Sequence, residues 1–251
     1  MRDGHRVSAR FEELDWRVTP LGELVLRRRW DPVVGRDVHE IKLNDDFLMS
    51  SLFTVAEVEL ARFALAELAP TPLDVVVGGL GLGYTAQAVL ENPAVRRVVV
   101  VDALGEVIEW HERGLIPAGA ELTADPRCRL VHGDFFAMLR SGAGFDPAVE
   151  PMVPERLWHA IVVDIDHSPR HLLHPGHADL YLPAGLRRLG ARLHPGGVFA
   201  LWSNDPPDAE FTSALAQTFE EARAEIVRFD NPLQQREATA TVYLAKTAPA
   251  Q

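Results

Sequence analysis

Apolar and polar positions along most of the chain follow the two repeats that mark helices and strands. A helical repeat covers residues 54–68, and from residue 74 onward short apolar runs typical of buried strands alternate with helical segments. The predicted strands are residues 74–78, 98–102, 128–132, 160–164 and 197–202, and the predicted helices between them are residues 85–91, 105–113, 135–139 and 183–193. Strands that alternate with helices indicate a mainly parallel sheet covered on both faces. We therefore expect a three-layer α/β fold.

The two ends of the chain depart from this alternation. Near the N-terminus, residues 23–27 and 39–43 have the pattern of short strands, with a turn after the second. Near the C-terminus, a predicted helix at residues 208–224 precedes strands at 225–229 and 239–246, whose short connection predicts an antiparallel pair. We predict two parts, a small β element at residues 1–53 and a mainly parallel α/β domain with an antiparallel C-terminal strand at residues 54–251.

Composition narrows the class of protein. The 251 residues are 47% apolar, which is enough for one sizeable core. No apolar stretch is as long as a membrane span, and the N-terminus lacks the apolar segment of a secretory signal, so we expect a cytoplasmic protein that does not bind membranes. The net charge of −11 argues against a nucleic-acid partner, because nucleic-acid surfaces concentrate Lys and Arg.

A glycine-rich turn directly follows the first strand of the alternation. Gly79, Gly81 and Gly83 lie between this strand and the next helix, and Asp102 closes the second strand 19 residues after Gly83. Glycines permit a sharp turn and a close ligand approach, and the following helix amides favour anionic groups. A carboxylate at the end of the neighbouring strand can accept hydrogen bonds from a ribose diol. The pattern predicts a nucleotide-type cofactor site in a Rossmann-like sheet.

Two kinds of cofactor fit this pattern. Residues 81–86 satisfy Gly-x-Gly-x-x-Ala, and Asp102 stands near the distance expected in a dinucleotide fold, so an NAD-dependent oxidoreductase is one hypothesis. Two later features argue against it. Asp134, at the end of the third strand, offers a carboxylate suited to an adenine amino group, and residues 193–197 form a tight turn before the fifth strand.

Several motifs in the same order resemble those of one enzyme group. The glycine loop at residues 79–84, the Val-Asp segment at 101–109, Asp-Pro-Arg at 125–127 and Gly-Asp-Phe-Phe at 133–136 match successive motifs. Over residues 39–202 the chain resembles the class I S-adenosylmethionine-dependent methyltransferase superfamily, and within it the spermidine synthase group. The resemblance implies S-adenosylmethionine or its decarboxylated form as the cofactor, and a homodimer as a possible assembly.

The resemblance also implies roles for particular residues. Asp102 would hold the ribose hydroxyls of the cofactor, and Asp134 the adenine amino group. The backbone around Gly79, Gly81 and Gly83 would lie along the amino-acid end. For both aspartates the alternative is capping of the helices that follow.

The segment after the fourth strand resembles the catalytic Asp-Ser-Ser-Asp-Pro motif of the group. Asp164 matches its first aspartate, beside the cofactor, and would take a proton from the nucleophile or orient it. His167 occupies the position of the second aspartate of the motif, and Asp166 would take the place of that aspartate after a local shift in the alignment. Both His167 and Asp166 are therefore predicted to be catalytic and to bind substrate. Tyr181 and Trp202 are predicted to line the acceptor pocket, with packing in the core as the alternative.

Departures from the motifs decide between reactions. Leu82 replaces the aspartate of the group's glycine loop that helps bind the aminopropyl amine. The group also has a Tyr-His pair in the helix before that loop, and this chain has Leu60 and Ala61 near the aligned positions. We therefore favour methyl transfer to a small acceptor, an amine among the candidates. Aminopropyl transfer to a polyamine, NAD-dependent oxidoreduction and a non-catalytic nucleoside-binding protein are the alternatives.

Four histidines lie close together after the fourth strand, at positions 167, 171, 174 and 177. Their density raises the hypothesis of a metal site, but no cysteine or regular helical pair supports it. Pro169 and Pro175 indicate a loop instead. We predict a mobile lid over the reacting end and no bound metal.

Overall fold

The computed structural model of the protein describes residues 11–69, 71–142, 144–148 and 156–250. The first ten residues of the predicted β element lie outside the described residues. Within the described part of the chain, no helix is both long and apolar enough to cross a membrane. The described strands form two sheets, one of four strands and one of seven.

The smaller sheet is a meander of consecutive antiparallel strands at the N-terminal end. Its strands are β1 (Phe11–Thr19), β2 (Gly22–Asp31), β3 (Arg36–Leu43) and β4 (Asp46–Ser50). Leu24, Leu26 and Ile41 on its inner face join the main hydrophobic core. The sequence did not predict β1, because this edge strand is mostly exposed and lacks a continuous apolar run.

The larger domain follows the predicted alternation. Its elements in chain order are α1 (Val55–Ala66), β5 (Leu73–Gly78), α2 (Tyr84–Leu90), β6 (Val95–Asp102), α3 (Gly105–Glu112), α4 (Gly119–Ala124), β7 (Cys128–His132), α5 (Phe135–Ser141), β8 (Trp158–Val163), a 3-10 helix (Pro175–Tyr181), α6 (Pro183–Gly190), β9 (Leu193–Ser203), α7 (Ala209–Ala216), β10 (Glu221–Asn231) and β11 (Arg236–Lys246). The expected α/β architecture, with a small β element before it, is confirmed.

The order of strands in the larger sheet is β10-β11-β9-β8-β5-β6-β7. Strands β5 to β9 are parallel to one another, whereas β11 pairs with both β9 and β10 in antiparallel fashion. The predicted antiparallel C-terminal pair is therefore confirmed. A dinucleotide-binding sheet has six parallel strands in the order 3-2-1-4-5-6. The antiparallel β11 between β9 and β10 departs from that order, which argues against the NAD hypothesis.

Valine-rich runs explain why the central strands form. Val75, Val76 and Val77 on β5 have no exposed surface, because helices cover both faces of the sheet. Each such side chain contributes about 1.5–3 kcal/mol through removal of apolar surface from water. β6 and β8 flank β5 on opposite sides, so the chain reverses its direction of strand addition there. Open α/β sheets bind ligands at the carboxyl ends of strands beside such a reversal.

Two predicted helices near the C-terminus are too long. The helix predicted at residues 183–193 ends at Gly190, and Leu193 already belongs to β9. The helix predicted at 208–224 ends at Ala216, and β10 begins at Glu221. β10 is an edge strand that is half-buried along most of its length, so its start has no fully buried apolar run to mark it.

Candidate active site

A cavity of about 250 Å³ lies at the carboxyl ends of the parallel strands, beside the reversal between β5 and β8. The glycine loop after β5 and the residues that end β6 and β8 form its floor. The smaller sheet covers it from one side with Leu21, Ile41 and Met49. Both parts of the chain therefore contribute walls to one site.

The glycine loop adopts the conformation that its sequence predicts. Gly79, Gly81 and Gly83 have φ values of 95°, 46° and 92°, in the left-handed region that favours glycine. A Cβ atom on Gly79 would lie 2.1 Å from the backbone oxygen of Asp164, and one on Gly81 would lie 2.7 Å from the Met49 sulfur. Gly79 and Gly81 both line the cavity.

Gly83 has a different place from the other two glycines. It is the N-cap of α2 and is not among the residues that line the cavity. A Cβ there would lie 2.7 Å from Leu122 and 2.9 Å from the His111 ring. Close packing of α2 against its neighbours accounts for this glycine, and its predicted contact with a cofactor stays a prediction.

Asp102 ends β6 and lines the cavity. Its Oδ2 accepts a hydrogen bond of 2.8 Å from the amide of Leu80, and its Oδ1 accepts one of 2.8 Å from the amide of Leu104. Burial raises the pKa of this carboxyl, and the amide hydrogen bonds oppose that rise. The glycine loop thus holds the carboxylate in position.

Asp134 follows β7 and also lines the cavity, although it is exposed. Its Oδ1 accepts a 2.9 Å hydrogen bond from the amide of Ala137, so it caps the N-terminus of α5. The capping alternative considered from the sequence is therefore observed. Capping and a contact with a ligand are compatible, because a carboxylate has two oxygens.

Asp164 directly follows β8, and its Oδ2 accepts a 2.6 Å hydrogen bond from the Thr85 hydroxyl. Burial raises the pKa of Asp164 to about 6. Glu57, in the first turn of α1, lines the same cavity and is only 8% exposed. Burial, together with the nearby Asp164 charge, raises the pKa of Glu57 to about 8. The cavity therefore contains an interacting pair of carboxyl groups.

Glu57 was not predicted from the sequence to belong to the site. It lies on the core-facing side of α1, where Ala56, Leu60 and Ala61 are buried. The available signal was a carboxyl at an apolar position of an amphipathic helix, since such residues are rarely buried without a role or a partner. α1 packs against β8 and thereby brings Glu57 to the cavity.

Asp166 has three hydrogen-bond donors and is buried away from the cavity. Its Oδ1 accepts from the amide of Leu173 at 2.7 Å and from Nδ1 of His177 at 2.8 Å, and its Oδ2 accepts from the Tyr181 hydroxyl at 2.7 Å. Neither Asp166 nor Tyr181 lines the cavity. Neither side chain is therefore in a position to contact a substrate in the cavity, contrary to the prediction. Instead, the two side chains bond to each other and anchor the loop after β8.

Other residues from the loop and from β9 reach the cavity. His167, Leu173, His174 and His177 line it, as does Trp202 on β9. The Trp202 indole N–H is buried and has no hydrogen-bond partner among the described residues. The sequence predicts roles at the site for His167 and Trp202, whereas it predicts none for His174 or His177 individually.

The histidines after β8 have separate partners. His177 bonds to Asp166, whereas His171 is exposed and bonds to Asp205 at 2.8 Å. In the ranges that the structure describes, no group of three or more His, Cys, Asp or Glu side chains is arranged to hold a metal ion.

Comparisons with known proteins give one consistent result. No family model matches the chain. It is 29% identical over 216 residues to polyamine aminopropyltransferase 2 of Pseudomonas aeruginosa, a match that covers 79% of this chain and 55% of that protein. It is 31% identical over 134 residues to a polyamine aminopropyltransferase of Pyrobaculum neutrophilum, covering 50% of this chain and 46% of that protein. The chain thus spans about half the length of these relatives.

Solved structures agree in fold. The chain matches the crystal structure of spermidine synthase from Thermotoga maritima with a TM-score of 0.71 and 16% identity, covering 95% of this chain and 74% of that one. A spermidine synthase in complex with the transition state analogue AdoDATO matches equally well, with a TM-score of 0.71. The class defined by the fold is therefore a Rossmann-like, methyltransferase-type α/β protein. Within that class the chain is similar in sequence to polyamine aminopropyltransferases and in fold to spermidine synthases.

Proposed function

We propose that the protein transfers an aminopropyl group from decarboxylated S-adenosylmethionine to a small amine. One observation carries the proposal. Asp102, Asp134 and Asp164, which lie at the carboxyl ends of three parallel strands, all line a single cavity that Glu57 also lines. The names of the relatives supply the type of group transferred.

The residues at one end of the cavity suit an adenosyl group. Carboxylates accept hydrogen bonds from ribose hydroxyls and from an exocyclic amino group, which are the roles proposed for Asp102 and Asp134. Leu104 and Phe136 offer apolar surface for the base. The aminopropyl portion would lie along Gly79 and Gly81, which have no side chains of their own and line the cavity. When bound, the donor supplies a carbon made reactive by its attachment to a positively charged sulfur.

The residues at the other end suit a positively charged amine. At pH 7 a carboxyl with a pKa of about 6 is mostly ionised, so Asp164 is negative. A carboxyl with a pKa of about 8 is mostly protonated, so Glu57 is neutral until a nearby cation favours its ionisation. An incoming ammonium group would meet the ionised carboxylate of Asp164, and its positive charge would favour ionisation of Glu57. This pair offers a second way to hold an amine in a chain whose glycine loop has Leu82 instead of an acid.

The proposal is tested by calorimetry of the purified protein with decarboxylated S-adenosylmethionine, intact S-adenosylmethionine and NAD. We expect tightest binding of the decarboxylated donor, followed by turnover when putrescine is added. Tighter binding of the intact form, with methylated products, would return the assignment to methyl transfer. Binding of NAD alone would remove the transferase assignment. Donor binding without turnover on any amine would favour a non-catalytic binding protein.

A further inference from the structure

Met49, on β4 of the smaller sheet, lies directly against the glycine loop. Its sulfur accepts a hydrogen bond of 3.1 Å from the amide of Leu82. The same sulfur would lie 2.7 Å from a Cβ on Gly81, so it fills the space beside that glycine. Met49 and Gly81 both line the cavity. The smaller sheet therefore occupies space beside the loop along which the aminopropyl portion of the donor would lie.

The peptide that joins Gly81 to Leu82 is held from both sides. Its carbonyl oxygen lies 2.9 Å from Nε2 of His111, which must carry a hydrogen because a carbonyl only accepts. His111 has no exposed surface and does not line the cavity. Since the N–H and C=O groups of a planar trans peptide point in opposite directions, this bond keeps the Leu82 N–H directed toward Met49.

The other amides of the glycine loop already have oxygen acceptors within the protein. These acceptors are the carbonyl of Val101 for Gly79, the Asp102 carboxylate for Leu80 and Gly81, and the carbonyl of Leu80 for Gly83. The acceptor for Leu82 is instead a thioether sulfur, which accepts hydrogen bonds more weakly than oxygen does. A carboxylate beside this loop would therefore find the Leu82 amide the easiest to recruit, and Met49 covers that amide.

The charges around the cavity also disfavour an anion. Its described lining includes four carboxyl groups, those of Glu57, Asp102, Asp134 and Asp164, and none of the described residues that line it is Lys or Arg. A carboxylate that entered would lose its hydration without gaining a permanent cation or an unoccupied amide of the loop. Intact S-adenosylmethionine has a carboxylate on the carbon that bears its amine, whereas the decarboxylated form has only hydrogen there.

We propose that Met49 is a specificity-determining residue, which excludes intact S-adenosylmethionine by filling the space that its carboxylate needs beside Gly81. The inference rests on the proposed function and deepens it, because it assigns the choice between the two forms of the donor to a side chain of the smaller sheet. The decarboxylated donor needs no such space, and its ammonium group carries no anion into the acidic cavity.

The test measures the dissociation constants of intact and decarboxylated S-adenosylmethionine by calorimetry on the full chain, and compares their ratio, intact over decarboxylated. Both donors share the adenosine and sulfonium groups, so a general loosening of the cavity changes both constants and leaves the ratio unchanged. In Met49→Ala the ratio should fall by about tenfold or more, because space opens beside Gly81 and the Leu82 amide becomes available to the carboxylate. In Met49→Leu the ratio should stay within about threefold of wild type, because leucine fills nearly the same volume.

Met138→Ala is the matched control. Met138 is a half-buried methionine of α5, and its sulfur would lie 2.8 Å from a Cβ on Gly133, much as the Met49 sulfur lies against Gly81. Met138 does not line the cavity, so its substitution should leave the ratio within about threefold of wild type. A fall as large as that in Met49→Ala would overturn the assignment to Met49.

The outcomes separate this inference from the proposed function. An unchanged ratio in folded Met49→Ala, or an equal fall in Met49→Leu, would overturn the inference even where the wild-type protein transfers an aminopropyl group to putrescine. The expected ratios without turnover on any amine would support the role of Met49 and overturn the transfer reaction. Tighter binding of the intact donor by the wild-type protein would overturn both. If Met49→Ala does not fold, as judged by circular dichroism, the ratio in Met49→Val decides, because valine is also shorter and suits a strand.

Discussion

The two ends of the cavity are built in different ways. At the end of β6, Asp102 is held by amides of the adjacent glycine loop and of its own following turn. At the end of β8, the acidic site needs Glu57 from a distant helix, α1. One end depends on short segments of backbone, whereas the other depends on the packing of separate elements. We therefore expect that donor binding and turnover can be impaired separately.

The largest expected effect is on turnover when the acidic pair is broken. Asp164→Asn removes the carboxylate nearest the proposed reaction, so kcat should fall by about 10²- to 10⁴-fold. Donor affinity measured by calorimetry should change less than about threefold. A loss of donor affinity as large as that in an Asp102 variant would contradict the division between the two ends.

The second expected effect is on stability as a function of pH in the ligand-free protein. The pKa of Glu57 is about 8 when folded, against 4.5 ordinarily, so its neutral form is favoured by folding. The resulting contribution to the free energy of unfolding is on the order of a few kcal/mol. It is fully present below about pH 4.5 and is lost as the pH rises through about 8.

Glu57→Gln should therefore flatten the decline in stability across that interval. Chemical denaturation at a series of pH values measures it, and Glu59→Gln, at the more exposed neighbouring acid on α1, is the matched control. Parallel curves of unfolding free energy against pH for wild type and Glu57→Gln would show that folding does not keep Glu57 protonated.

The third expected effect is on donor binding at the other end. Asp102→Asn exchanges a carboxylate for an amide between the Leu80 and Leu104 amides, so donor affinity should fall by about 10- to 100-fold. In saturating donor, kcat should stay within about threefold of wild type. Calorimetry and steady-state kinetics together check this split, and an unchanged donor affinity would remove Asp102 from the proposed site.

The smallest expected effect is that of Asp134→Ala. Loss of the cap on α5 should lower the free energy of unfolding by about 1 kcal/mol, with a several-fold loss of donor affinity. Asp208→Ala is a partial control, because Asp208 also caps its helix, α7, and lies outside the cavity lining, but it forms an ion pair with Arg170 as well. Equal effects of both substitutions on donor binding would leave Asp134 with a structural role only.

Much of the fold could be predicted because its signals are local. Buried valine runs mark β5 and β6, and the glycines between strand and helix have the backbone conformation that requires them. The edge strands β1 and β10 were missed or shortened, since an exposed edge needs no apolar run.

The candidate site divides in the same way. Asp102 and Asp164 could be named from sequence because each directly ends a recognisable strand. Glu57 could not, because its neighbour Asp164 comes from a strand far along the chain and only the packing of α1 brings the two together. Asp166 and Tyr181 had the right residue types for substrate contact, but the fold of the loop turns them toward each other instead.

The absence of a side chain on Gly79 links these two ends mechanically. Even a methyl group there would overlap the backbone oxygen of Asp164, because the glycine loop and the end of β8 are in direct backbone contact. A displacement of the loop that follows donor entry would be passed to Asp164 without intervening atoms to absorb it. Engineering a larger donor would therefore require both segments to be redesigned together.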